Sequence, residues 1–481
     1  MEVLLEVAIL GAVALPFVRL ALCRPFLRRL GGAPEMALVF GAALVGYLGA
    51  VVVIALVAPV LLRPLVVAAV VLALFAWWRS RPSFGAARGL PPGSLRVAPI
   101  GPWVDPDYFA RDGRRFGPVF KSTTLVAPTL CVVGLPAALD LFEKHDSSLV
   151  PPTNRFSRFI PRGFIRYMTD GDHATYAPIL RSAVSGAVTR EAEAQMAAMI
   201  RNELIAAAGG EVRVGELTRR IVQRLFLRLF FGIEADDRDL PRLEQLYQRI
   251  DPTQAWRSRP GRIQSAVDEI ARIVGQREVA QSYLAAARQA HGESADDVTV
   301  VKNLVYMAQT GAADVSALLA WVVWMLSTND GWVERLRTSG DIGPAARRVV
   351  MEAVRMEQSE FILRRATDDI RWQGFTIPRG WRVRICVRES HRDPSVFTDP
   401  DRFDPDRFLG DPIPRHDYSA FGASTTRTRC LGEGLTLTVG RLFVEQLVCG
   451  FDWTVIHRGE PEFSGVHRRP SSRFSVALTP R

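Results

Sequence analysis

Residues 417 to 443 read DYSAFGASTTRTRCLGEGLTLTVGRLF. One thiol, Cys430, stands between a loop rich in Ser, Thr and Arg and a run whose apolar residues recur at helical spacing. That spacing puts Cys430 just before, or at, a helix N-terminus. Unpaired backbone N–H groups and the helix dipole there favour a thiolate over a thiol, and Arg427 and Arg429 add positive charge. The chain has five cysteines, Cys23, Cys131, Cys386, Cys430 and Cys449, widely spaced and with no CxxC. Neither a disulfide framework nor a zinc site suits that pattern. Cys131, Cys386 and Cys449 read as small apolar core residues, whereas Cys430 reads as a thiolate suited to ligating haem iron.

Working outward, VVMEAVRMEQSE (349–360) places Glu352 and Arg355 at i and i+3 on one helical face. HRDPSVFTDPDRFDPDRF (391–408) repeats Asp-Pro turns with Phe and Arg between them, which describes an ordered, packed coil. PVFKSTTLVAPTLCVVG (118–134) predicts two strands around its Ala-Pro pair, and IRWQGFTIPRGWRVRICV (370–387) predicts further strand. Helical periodicity covers 173–207, 215–232, 260–291, 296–328 and 342–357. The soluble part is therefore mainly α with small β-sheets, and it shows no internal repeat.

The front of the chain differs. MALVFGAALVGYLGAVVVIALV (36–57) carries no charge and is long enough to span a hydrocarbon layer of ~30 Å. Residues 3–22 are apolar except for Glu6 and Arg19, and LVVAAVVLALFAWW (65–78) ends in a Trp pair suited to a membrane interface. Two to three transmembrane helices are thus expected in residues 1–80, then a Pro/Gly/Ser-rich linker over 81–95 and a soluble domain over 96–481. Arginines after the first and third segments place that domain on the cytoplasmic side.

Net charge is +10, from 60 basic and 50 acidic residues, and mean hydropathy is +0.08. Only Lys121, Lys144 and Lys302 are lysines, and acidic residues are interleaved with the arginines. No basic stripe with aromatic spacing appears, which argues against nucleic-acid binding. A transporter is disfavoured because the apolar segments hold no central charged pair.

Taken in order and at their spacing, Glu352-x-x-Arg355, FILRRATDDI (361–370), the Asp-Pro coil and the FG…CLG loop resemble the cytochrome P450 superfamily over residues 90 to 480. The resemblance is to a bacterial, membrane-anchored member with a divergent haem-binding loop. It implies a cytochrome P450 fold preceded by transmembrane helices, anchored in the bacterial cell membrane. Cys430 would be the fifth ligand of haem b, and Glu352, Arg355 and Arg407 a buried ion network beneath it. Arg364 and His173 match residues that pair with the haem propionates, and Arg427 or Arg429 would take over from the position two before the cysteine, here Thr428. The family's loop usually has Phe seven residues before the cysteine, whereas Phe421 is nine before it, as if two residues were inserted.

Oxygen-activating members carry an acid followed by an alcohol in the long helix over the haem. MAQTGAADVSALLAWVVWML (307–326) offers Asp314 and Ser316 as catalytic candidates, separated by Val315. The implied activity is a monooxygenase that oxidises a small lipophilic substrate. No flavin or iron–sulfur segment is seen, so electrons are expected from a ferredoxin and its reductase. The incomplete acid–alcohol pair keeps two other readings open, a peroxide-dependent or substrate-rearranging enzyme and a non-catalytic haem-binding relative.

Overall fold

The computed structural model describes residues 59–96, 101–124, 127–151, 159–184, 186–250, 260–277, 281–329, 331–358, 361–410, 412–414, 416–422, 429–463 and 468–481. The apolar segments 3–22 and 36–57, and with them most of the expected membrane portion, lie outside the described residues, as does Arg427. The main helices in chain order are α1 Pro59–Arg79, α2 Tyr108–Phe116, α3 Leu135–His145, α4 Asp170–Ala183, α5 Gly186–Glu191, α6 Glu193–Ala207, α7 Val214–Phe231, α8 Leu240–Arg249, α9 Pro260–Gly275, α10 Tyr283–His291, α11 Val298–Leu326, α12 Ile342–Ala353 and α13 Glu433–Gly450. The strands are β1 Val119–Thr124, β2 Ala127–Val132, β3 Leu149–Val150, β4 Glu211–Arg213, β5 Ile362–Ala366, β6 Ile370–Trp372, β7 Phe375–Ile377, β8 Arg382–Ile385, β9 Phe451–His457, β10 Arg468–Arg469 and β11 Ser475–Pro480.

The predicted helices at 215–232 and 296–328 form almost as expected, because their apolar residues cover most of the helix surface. Two others break. The 173–207 run divides into α4, α5 and α6, and the 260–291 run into α9 and α10. The strands predicted over 118–134 pair Val119↔Val132 through Thr124↔Ala127. Pro128 lies within β2, beyond the ladder β8 makes at 129–132.

The described chain forms two compact units. One contains the described residues up to 151 together with Phe361–Glu389; the other contains Phe159 to Gln358, Ser390–Glu462 and Arg468–Arg481. The first unit is built on a five-stranded sheet of order β1-β2-β8-β5-β3, with the β6–β7 hairpin beside it. Lys121, buried in β1, donates from Nζ to Pro82 O (2.8 Å) and Pro91 O (2.6 Å). Burial lowers its pKa to about 8. The Pro/Gly-rich stretch 81–95 is thereby docked on the sheet. α1 presents Leu65, Val67, Val71, Leu72, Leu74 and Trp77 on its exposed surface.

The second unit is mainly helical, with a β4-β11-β9 sheet. Its centre is α11, 29 residues long and apolar enough to cross a membrane by length and composition alone. More than half of its apolar window is buried, and it packs on α7 as core. Gly311 permits the contact, since a Cβ there would lie 2.7 Å from Phe226 Cε2. Gly440 of α13 does the same against Val350 of α12, where a Cβ would meet Cγ1 at 2.7 Å. These crossings seat the helix that follows Cys430 against the one that carries Glu352.

Candidate active site

The second unit contains all the sequence-predicted site residues except Arg364, which belongs to the first, and Arg427. Glu352 and Arg355 have fully buried side chains. Arg355 Nε donates to Glu352 Oε2 (2.7 Å) and Nη2 to Oε1 (2.9 Å). Its remaining donors reach out of the helix, Nη1 to His391 O (2.7 Å) and Nη2 to Pro400 O (2.8 Å). Glu352 Oε1 also accepts from Arg407 Nε (3.0 Å) and from the Asp404 N–H (2.9 Å). Arg407 then donates to Thr398 O at 3.0 Å and Arg402 O at 3.2 Å. The two guanidiniums thus bind carbonyls of the Asp-Pro coil while the one buried carboxylate accepts its Asp404 N–H, and each charge has several partners. After Ala353 the chain continues as a π-helix, Val354–Gln358, and Gln358 Nε2 donates to Asp314 O of α11 (3.0 Å).

The Cys430 N–H donates to Phe421 O at 2.9 Å. The nine-residue separation is therefore closed by a direct bond at its base, whatever path 423–428 takes. α13 starts at Glu433 with Gly432 as its N-cap, as the spacing predicts. The thiol is exposed, and the Gly432 N–H donates to its sulfur. Loss of water contact in its crowded surroundings nevertheless pushes the Cys430 thiol above its ordinary pKa, with the Gly432 N–H opposing. The expected help from Arg429 is largely cancelled, because Arg429 Nε and Nη2 both engage Glu433 Oε2 at 2.7 Å. Bound to a metal ion, a thiol is deprotonated outright, so the free-thiol pKa does not decide its state there.

α11 is mostly buried, with residues 310–313 half-buried and Asp314 exposed. Burial of its surroundings raises the Asp314 pKa, opposed by the positive charges of Arg469 and then Arg166. Asp314 and Arg166 are also close enough for their charges to act on Cys430. Ser316 does not share the face of Asp314. It lies about 200° around the helix from Asp314, is buried, and donates from Oγ to Ala313 O (3.0 Å). The hydroxyl sharing the Asp314 face is Thr310, one turn earlier, with Oγ1 donating to Tyr306 O (3.0 Å). The i, i+4 spacing of Thr310 and Asp314 is the sequence signal for it.

His173 lies in the first turn of α4, behind the Thr169 N-cap. Arg364 is buried in β5, 5.4 Å from the Phe142 ring centroid. His391 went unnoticed in the sequence. It is fully buried, stacks on Tyr418 (5.2 Å, 18°), and accepts the Ser419 N–H at Nε2 (3.2 Å).

With this geometry in hand, comparison with known proteins is direct. Residues 344–470 match the family model described as Cytochrome P450. The chain is 24% identical to Abscisic acid 8'-hydroxylase 3 of Oryza sativa subsp. indica over 76% of this chain and 82% of the relative. It is also 24% identical to Abscisic acid 8'-hydroxylase CYP707A1 of Solanum lycopersicum, over 81% and 89%. Retinoic acid bound cyanobacterial CYP120A1 superposes with a TM-score of 0.66 at 21% identity, covering 79% of this chain and 96% of that one. CYP152N1 with myristic acid gives 0.64 at 17%, again over 79% and 96%. The two sequence relatives are from plants, unlike the bacterial source expected from the sequence.

Proposed function

We propose, for a chain that belongs to the cytochrome P450 superfamily, that it is a haem-thiolate monooxygenase with Cys430 as the iron ligand and an apolar small molecule as substrate. Members of the superfamily bind haem b through a cysteine thiolate. The residues present suit that group. Cys430 combines an accessible sulfur with a backbone N–H donor at a helix start, whereas Cys131 and Cys386 are buried and Cys449 stands at the far end of α13. That combination is the observation that carries the reading. When bound, the haem supplies O2 activation and oxygen insertion, using electrons from outside the chain.

The chain's own residues position and protonate. Arg364 and His173 would hold the propionates, and the Glu352–Arg355–Arg407 network would keep the Asp-Pro coil in register under the cofactor. Asp314, whose carboxyl pKa is raised by burial, and Thr310 Oγ1 on the same helix face would serve as the proton-relaying pair. Ser316, bonded to its own helix, has no part in that route. Electrons would come from a ferredoxin and its reductase. The apolar exposed face of α1 supports a membrane anchor at the N-terminal end, and the arginines after the apolar segments support a cytoplasmic catalytic part. The relatives named for abscisic acid hydroxylation support a lipophilic substrate.

The deciding experiment is the absorbance of the reduced, CO-bound protein beside its Cys430→Ser variant. Wild type gives the red-shifted thiolate band and the variant loses it. Haem binding without that band in the wild type refutes Cys430 ligation. A second reading, peroxide as oxidant, is favoured by Val315 standing where an alcohol would follow the acid. Turnover with hydrogen peroxide and no reductant would select it.

A further inference from the structure

We infer, resting on the reading just given, that Gln358 is a positioning residue for proton delivery. Its side-chain amide holds the backbone of α11 at Asp314 and ties that acid, through one π turn, to the buried ion network around Glu352.

Three residues of the turn Val354–Gln358 go to three places. Arg355 is bonded four times, to Glu352 and to the carbonyls of His391 and Pro400. Glu357 is buried, and its Oε1 accepts from Arg392 Nη2 at 3.4 Å and from Arg468 Nη1 at 3.1 Å. Gln358 Nε2 donates to Asp314 O at 3.0 Å. Arg468 leads back to the same helix, since its carbonyl accepts Trp321 Nε1 at 3.2 Å. The turn therefore meets α11 at Asp314 directly and at Trp321 through Arg468, about two helical turns further on. Two attachments on one helix fix its rotation about its own axis as well as its place. The i→i+5 turn departs from the heading an α-helix would keep, and such turns recur at functional sites. Here it aims Gln358 at α11 while Arg355 still reaches Glu352.

The carbonyl of Asp314 does not need this donor. Within a helix it is already served by the amide four residues on, and Gln358 takes its second lone pair. A half-buried amide bond of this kind adds little stability. What it controls is geometry, because the carbonyl and the carboxyl belong to one residue and holding the first limits where the second can go. Side chains that engage a helix backbone also bend it locally. A proton is relayed only across a hydrogen bond, and a misplacement of ~1 Å at a reacting group can cost ~100-fold in rate. The base from which Gln358 reaches is rigid, since Arg355 on the same turn is buried and saturated.

The test uses the haem-loaded full chain. Gln358→Met keeps the length and removes the donor, Gln358→Glu keeps the shape and puts an acceptor against a carbonyl, and Gln358→Lys restores a donor. The first readout is independent of activity: hydrogen–deuterium exchange of the resting protein should rise about fivefold over 312–320 in the Met and Glu variants and stay unchanged over 298–306. The second supplies electrons from NADPH through a ferredoxin and its reductase. The ratio of electrons reaching water to electrons lost as hydrogen peroxide should fall about fivefold in both variants, and Gln358→Lys should recover part of it. In an Asp314→Asn background, adding Gln358→Met should change that ratio no further, because a residue that acts through the acid has nothing left to position. Wild-type exchange and electron use in Gln358→Met and Gln358→Glu overturn the proposal. A Gln358→Met effect of equal size with and without the Asp314 carboxyl also overturns it, as does loss of haem from both variants, since the role would then be structural. Failures at other levels read differently. A missing thiolate band in the reduced, CO-bound protein defeats the monooxygenase reading, and wild-type electron use in Asp314→Asn defeats the proton role of that acid. A normal band and an impaired Asp314→Asn enzyme beside an indifferent Gln358→Met defeat only this inference.

Discussion

Two groups of charge lie in the same unit and differ in one respect. Around Glu352, every ionised group is saturated: the carboxylate receives four donors, and both arginines spend theirs on it and on coil carbonyls. Around Asp314, a carboxylate and two arginines influence one another without a direct bond among the described residues. Saturated buried charge adds little net stability but tolerates only one geometry, because displacing any member strands the others. Unsaturated charge leaves donors and acceptors available for something that arrives. The first arrangement is built to hold and the second to transfer a proton. Gln358 joins them, extending from the π turn after Arg355 to the carbonyl of Asp314.

The contrast is broken most severely at Arg355. Arg355→Ala would strand the fully buried Glu352 carboxylate and release the carbonyls of His391 and Pro400. A loss of roughly 3–5 kcal/mol is expected, with loss of haem retention, measured by denaturant midpoint and by haem-to-protein ratio. Arg355→Lys should rescue little, since a point charge cannot replace a fork bonded at four places. Near-normal stability in either variant would mean the network is ornamental.

At Asp314 the opposite pattern is expected. Asp314→Asn keeps the shape and removes the exchangeable proton, so reductant-driven turnover should fall about 100-fold while stability hardly changes. Reductant consumed without product should rise. Thr310→Val should act in the same direction, and Ser316→Ala should leave turnover unchanged, because Ser316 faces away and bonds Ala313 O. An Asp314→Asn enzyme with wild-type rate and coupling removes the proton role altogether.

Much of this was legible in the sequence where chemistry depends on short spacing. Glu352 and Arg355 are three residues apart on one helix, and Cys430 precedes its helix by three, so local periodicity alone brings them to their places. What was not legible depends on distant segments meeting. Arg166 and Arg469 are over three hundred positions apart, and only the docking of a turn and a strand on α11 brings their charges onto one carboxylate. The division of the 173–207 and 260–291 runs is not visible in periodicity, because small and polar residues keep a helical pattern while tertiary packing decides where each helix ends. Ser316 shows a related limit: it is two residues from Asp314 along the chain but about 200° from it around the helix, a difference that linear spacing does not display.

The smallest expected effect sharpens the comparison from inside the saturated region. His391 is buried beside Arg355, and its Nε2 accepts the Ser419 N–H, so its proton sits on Nδ1, which finds no acceptor among the described residues. Burial, and then the Arg355 charge, lower its pKa to about 3, from 6.5 in the unfolded chain. The sign follows from proton counts. Between these values the unfolded chain binds a proton that the folded one refuses, so stability is full above pH 6.5 and declines as pH falls toward 3. From pH 7.5 to pH 5 this single group should remove about 2 kcal/mol. Urea midpoints for wild type and His391→Gln measure it: the variant starts lower but should lose that part of the acid slope. If the two slopes are parallel, His391 takes up its proton in the folded state. The region would then have slack to admit a charge, and the line drawn between the saturated and unsaturated groups would fall.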